Sequence, residues 1–114
     1  MTVRAPRVRF THVDGRINSE ITSSYEAAGE LLRALSAPAR IGIVVALDDG
    51  PKCVHELVDA LQAPQPLISQ HLRVLRSAGV VKGSRSGREI SYSLTDEHIA
   101  HIVTDAVDHV REED

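Results

Sequence analysis

The last twenty residues, TDEHIAHIVTDAVDHVREED (95–114), fit one regular structure, an amphipathic helix. Advancing about 100° per residue from His98 puts Ile99, Ile102, Val103, Ala106, Val107 and Val110 on one side. His98, His101, Asp105, Asp108, His109 and Glu112 cluster on the other. Thr95 or Asp96 can cap its start, and carboxylates in the first turn suit the helix dipole.

Two pairs mark the edge where the faces meet. Asp96 and His98 lie at one end of the helix; His109 and Glu112, three residues apart, lie at the other. The pairs share a face but sit about 16 Å apart, so one helix cannot close all four around one ion. Two copies packed antiparallel about a two-fold axis can, giving two equivalent sites of two imidazoles and two carboxylates each. That donor set suits tetrahedral zinc. The same residues also fit a solvated helix face, and the helix alone leaves both readings open.

At 114 residues the chain is expected to form one small domain whose core is supplemented by dimerisation. With two Tyr, one Phe and no Trp, that core must be aliphatic. A single cysteine excludes an internal disulfide, no apolar run approaches a membrane span, and the N-terminus lacks a signal-peptide apolar stretch. A cytoplasmic protein without membrane association is the expectation. A chain this short has no spare element with which to build a catalytic cleft, so an enzyme is not expected.

The net charge of −3 argues against nucleic acid as a partner, but its distribution argues for it. Residues 64–93 carry Arg73, Arg76, Lys82, Arg85 and Arg88 against Glu89 alone, whereas residues 95–114 are strongly acidic. Local charge decides contact with a phosphate backbone.

Residues 1–20 show no helical period, and Arg4, Arg7, Arg9 and Arg16 make them a flexible basic arm; Val8 and Phe10 could form a short strand there. Residues 21–114 then form the folded domain. From Ser23, Tyr25, Ala28, Leu31, Leu32 and Leu35 repeat at helical spacing. Ser36 is the expected cap and Pro38 the first turn of a second, largely buried helix to Leu47. Val54, Leu57, Val58 and Leu61 mark a third helix, broken at Gln62-Ala63-Pro64.

Residues 65–78, QPLISQHLRVLRSA, place Leu67, Ile68, His71, Leu72, Val74 and Leu75 on the buried side. Gln65, Pro66, Ser69, Gln70, Arg73 and Arg76 form the polar arc opposite. Two short helices across a tight turn, the second presenting Ser, Gln and Arg, make a helix-turn-helix, and these side chains can read base edges in a major groove. Gly79 ends that helix. Residues 80–84 and 88–94 follow as a hairpin turned at Ser86-Gly87, with Ile90, Tyr92 and Leu94 alternating and Arg85 and Arg88 at the tip. The expected fold is therefore mainly α with a small β-hairpin, a winged helix-turn-helix, and its partner is double-stranded DNA.

The order LLRALSAPAR, CVHELVDAL, PLISQHLRVLRSAGVV, SGREISYSL and a terminal amphipathic helix resembles the ArsR/SmtB family of metal-sensing repressors over residues 24–112. The resemblance implies a homodimer held by its first and last helices. It further implies that the metal-free form grips operator DNA and that zinc lowers that affinity. The D-x-H and H-x-x-E pairs at Asp96, His98, His109 and Glu112 are similar to the family's terminal-helix zinc site. In that family the distal histidine bonds a carbonyl near the end of the recognition helix, which carried over links His109 to about Gly79. Cys53-Val54-His55-Glu56 stands where other members carry a thiolate-rich site, written CVCDL, but only one thiolate remains here. A second site from Cys53, Glu56 and His12 of a partner's arm is the variant of that arrangement open to this chain. His71 is read as structural, and His101 as a surface residue beside the ligands. His12 and Asp14 keep a nickel or cobalt sensor as the alternative, and a metal-independent helix-turn-helix regulator is the other.

Overall fold

The computed structural model describes residues 15–112. The arm, with Val8, Phe10, His12 and Asp14, lies outside them up to residue 14. Eight elements follow in order: α1 (Gly15–Ala34), α2 (Pro38–Asp48), β1 (Lys52–Cys53), α3 (Val54–Leu61), α4 (Gln65–Ser77), β2 (Val81–Ser86), β3 (Glu89–Leu94) and α5 (Glu97–Arg111). Helix α1 starts well before Ser23, the first residue of its apolar period. Residues 15–22 hold only Ile17 and Ile21 as large apolar residues, too few to reveal this extension of the helix by period.

Pro38 occupies the first position of α2, as its fixed φ and missing N–H favour, and this makes Ala37 the N-cap. Ser36, expected to cap α2, instead turns its hydroxyl back and donates to Arg33 O at 2.8 Å, serving the open carbonyl end of α1. Arg40 stitches the same corner. Its Nε donates to Ala34 O at 2.6 Å and its Nη1 lies 3.3 Å from His71 Nδ1 on α4. A guanidinium has no acceptor, so Nδ1 of this half-buried histidine takes the acceptor role.

The aliphatic core forms where α2, α3, α4, α5 and the sheet meet. Ile43, Val44, Leu57, Ile68, Leu75 and Val80 are fully buried, and Ile99 and Val103 of α5 join them. Leu67 and Val74, placed on the buried side by helical period, are instead exposed at 41% and 36%. They flank the Ile68–Leu72–Leu75 stripe that the one-sided packing of α4 covers.

Helix α4 ends in a Schellman turn. Gly79 adopts φ 78°, its N–H bonds Arg76 O at 3.0 Å, and Val80 N–H bonds Leu75 O at 2.9 Å. Both side chains of that outer pair are buried, which fixes where the wing departs from the helix. The wing is a three-stranded antiparallel sheet of order β1-β3-β2. Ser86 pairs with Glu89, so the turn is Gly87-Arg88, one residue beyond the expected Ser86-Gly87. Gly87 takes φ 66° there, a backbone that favours glycine. Strand β1 was not expected; two residues are too short to show alternation.

Candidate metal centre and nucleic-acid interface

Helices α3 and α4 are joined by Gln62, Ala63 and Pro64. Gln62 takes the left-handed region at φ 54°, and its own amide steadies it by donating to Asp59 O at 2.8 Å. This turn angles α4 outward. Gln65, Pro66, Gln70, Arg73 and Arg76 are exposed along it and Ser69 is half-buried. Arg85 on β2 and Arg88 in the turn are exposed on the wing. Among the described residues no carboxylate forms an ion pair with any of these four arginines. Their charge is left for an anion such as a phosphate backbone.

Helix α5 begins with Asp96 as N-cap, its Oδ1 accepting from the N–H of His98 at 2.8 Å and of Ile99 at 3.2 Å. The same oxygen lies 3.7 Å from His98 Nδ1, near the roughly 3.3 Å edge that two 2.0–2.1 Å bonds to tetrahedral zinc require. The His98 side chain is 93% exposed, so nothing blocks a ligand from reaching it. Glu112 is the C-cap residue and both it and His109 are exposed. Within one chain the structure brings Asp96 to His98 but keeps His98 about 16 Å along the helix from His109. His101 is exposed on the same side.

Beside these residues runs an exposed apolar strip. Ile99, Ala100 and Val103 of α5 face the core, while Ile102 at 39% and Val110 at 61% stay exposed with Ala106. Helix α1 repeats the pattern: Ala34 is buried, but Tyr25 and Leu32 are exposed at 46% and 53%.

At the start of α3 the structure brings Cys53 to Glu56, while His12, the third residue of the second site open to this chain, lies outside the described residues. Cys53 is the N-cap of a capping box, its sulfur facing the Glu56 N–H while Glu56 Oε1 accepts from the Cys53 N–H at 2.9 Å; the thiol also lies 3.2 Å from that oxygen. That N–H bond, with the thiol's, pulls the Glu56 carboxyl below its usual range. Desolvation, then the hydrogen bond with Glu89, pushes the Cys53 thiol up. The neighbours Cys53 actually gathers are His55, 3.2 Å from its Sγ, and, through His55, Glu89 at 3.1 Å. Sequence reading missed Glu89. The signal for it is the pairing of Cys53 with Ser91, which sets the first turn of α3 beside the start of β3, where His55 meets Glu89.

A helix-turn-helix followed by a strand-paired wing defines the winged helix-turn-helix class. Residues 37–82 match the family described as bacterial regulatory protein, arsR family. The chain is 65% identical over 88 residues to the HTH-type transcriptional repressor SmtB of Mycobacterium tuberculosis, covering 77% of this chain but only 65% of that protein. It is 39% identical over 100 residues to the HTH-type transcriptional regulator NmtR of the same organism, covering 85% of this chain and 83% of that one. The crystal structure of the transcriptional repressor BigR from Xylella fastidiosa superposes with a TM-score of 0.69 at 33% identity, over 76% of this chain and 89% of that one. The chain belongs to the arsR family, whose members are regulators rather than enzymes. No helix among the described residues is long and apolar enough to cross a membrane.

Proposed function

We propose that this chain is a cytoplasmic metal-responsive transcriptional repressor, a homodimer whose metal-free form holds operator DNA and whose affinity falls when zinc binds. The observation that carries the reading is the layout of α5. Asp96 and His98 stand at one end and His109 and Glu112 at the other, bordered by the exposed strip of Ile102, Ala106 and Val110. An uncovered apolar strip favours burial against a second copy, joined by Tyr25 and Leu32 of α1. Antiparallel packing brings Asp96 and His98 to His109 and Glu112 of the partner subunit. Similarity to a protein named as a transcriptional repressor supports the regulatory half of the reading.

Gln65, Pro66, Ser69, Gln70, Arg73 and Arg76 are assigned to the major groove, and Arg85 and Arg88 to flanking phosphates. Zinc, when bound, supplies a double positive charge that two carboxylates neutralise across the subunit boundary. The rest is the chain's own work. Thr95, at the start of α5, bonds the Gly79 carbonyl at the end of α4, so the angle of α5 and the posture of the recognition helix are mechanically joined. A histidine reaching Gly79 from the far end of α5 has to be His109 of the partner subunit, because His109 of the same chain is a helix length away.

Zinc fits the donor set better than nickel, which favours more ligands than two imidazoles and two carboxylates. Calorimetry with Zn2+, Co2+ and Ni2+ tests the assignment: one zinc per chain is expected, lost in His98→Asn and in His109→Asn. Nickel binding as tightly as zinc would transfer the reading to a nickel sensor.

A further inference from the structure

The first turn of α4 leaves one large apolar side chain in water beside the residues assigned to the major groove. Ile68, Leu72 and Leu75 of this helix are buried, whereas Leu67 is 41% exposed. Ala63, on the turn just before, packs against the core, and Leu67 does not. Val74, exposed on the same flank, lines the cleft against α1 with Leu31 and Ala34; Leu67 is no part of that lining. Helix geometry accounts for its position. With Pro64 as N-cap, Leu67 is the third residue of α4, and its N–H and that of Ile68 both bond Pro64 O at 3.1 Å. Advancing about 100° per residue puts the buried stripe about 100° to one side of Leu67 and Gln70 about 60° to the other, followed by Pro66 and Arg73. Leu67 borders the polar arc.

We propose that Leu67 reads a thymine, packing its side chain on the 5-methyl group in the major groove at the base pair next to the one that Gln70 contacts. This role rests on the assignment of α4 to the major groove. It adds to that assignment a specificity determinant that makes no hydrogen bond.

The N-terminal residues of a recognition helix are the ones that meet base edges, and Leu67 stands among them with Gln65 and Pro66. In the major groove thymine offers a methyl group, whereas cytosine presents an amino donor. Leucine cannot accept from that donor, so a cytosine here would lose water without gaining a partner. Packed on the methyl, the same side chain leaves water at a gain. Spacing agrees. Leu67 and Gln70 are about 4.5 Å apart along the helix axis, close to the roughly 3.4 Å between successive bases of a strand. The two residues can therefore address neighbouring base pairs, Gln70 preferring adenine and Leu67 thymine. Pro64 and Pro66 fix φ on either side of Gln65, so the turn that carries Leu67 has little freedom left to lose on entering the groove.

The test removes the methyl and nothing else. Deoxyuridine replaces thymine at one symmetric pair of positions at a time in the duplex from upstream of the protein's own coding sequence. Affinity of the metal-free full chain is read by fluorescence anisotropy at constant salt. One buried methyl should be worth about fourfold per half-site, hence about fifteenfold for a symmetric pair. Leu67→Ala should bind the thymine duplex more weakly by a similar factor and show no further loss with deoxyuridine at that pair. Leu67→Met keeps the apolar reach and should keep most of the methyl effect. Leu67 is exposed, so both variants should retain the wild-type circular dichroism spectrum and urea midpoint. A scan in which no pair of thymines responds overturns the proposal and leaves the groove assignment standing. So does a methyl effect that Leu67→Ala leaves unchanged at every position, because other side chains would then hold the methyls. A chain that binds no duplex overturns the groove assignment and the proposal together.

Discussion

Thr95 Oγ1 donates to the carbonyl oxygen of Gly79 across 2.7 Å, while the Thr95 N–H bonds Val80 O at 3.0 Å. These bonds join the last residue before the α5 cap to the glycine that ends the recognition helix. Thr95→Val removes the hydroxyl and keeps the shape. It should cost about 0.5–1.5 kcal/mol in urea unfolding and leave metal-free DNA binding close to wild type. The zinc effect on DNA affinity should shrink. An undiminished zinc effect would mean that the coupling runs elsewhere.

Asp96 caps α5 and is also a proposed ligand, and two substitutions separate those roles. Asp96→Asn retains a good cap, so stability should change by a few tenths of a kcal/mol, whereas Asp96→Ala should lose about 1 kcal/mol. Both should lose zinc affinity in calorimetry. If Asp96→Asn binds zinc as the wild type does, Asp96 is a cap only.

The exposed strip of α5 is proposed to be covered by a second copy. Ile102→Glu places a charge there without touching the buried Ile99–Val103 side. Sedimentation should show the variant shifted from dimer to monomer, with a folded helical circular dichroism spectrum. A variant that stays dimeric would place the interface on another face.

On the DNA side, Arg85→Ala and Arg73→Ala should differ in kind. Losing a wing arginine that meets phosphate should weaken all sequences alike and reduce the salt slope by about one. Losing Arg73 from the groove should cost about 1–3 kcal/mol and relax preference at one base pair. Anisotropy at several salt concentrations, with specific and scrambled duplexes, reads both.

Leu57 is fully buried between α2, α4 and the sheet, so Leu57→Ala should cost about 2–5 kcal/mol in chemical unfolding.

The order of elements could be read from the chain because their signals are local. Apolar spacing marks α2 to α5, Pro38 and Asp96 start helices, Gly79 stops one, and the alternation of Ile90, Tyr92 and Leu94 marks β3. What escaped depends on distant partners. Strand β1 exists because Lys52 and Cys53 find Tyr92 and Ser91, and that pairing sets the first turn of α3, with His55, beside Glu89. Leu67 and Val74 obey the helical period, yet only one side of α4 is covered. The hairpin turn moved one residue because strand pairing runs on to Ser86 and Glu89. The proposed terminal-helix ligands were legible as two separated pairs, and the structure keeps that separation within one chain. Their convergence is proposed to need two chains.

The most direct test of a metal-responsive repressor is operator affinity by fluorescence anisotropy, with and without one equivalent of zinc per chain at constant salt. The DNA is the region upstream of the protein's own coding sequence. The expected result is a loss of about tenfold or more on adding zinc, a coupling within the usual 1–3 kcal/mol, absent in His98→Asn and His109→Asn. Zinc that binds at α5 and leaves operator affinity unchanged would contradict it.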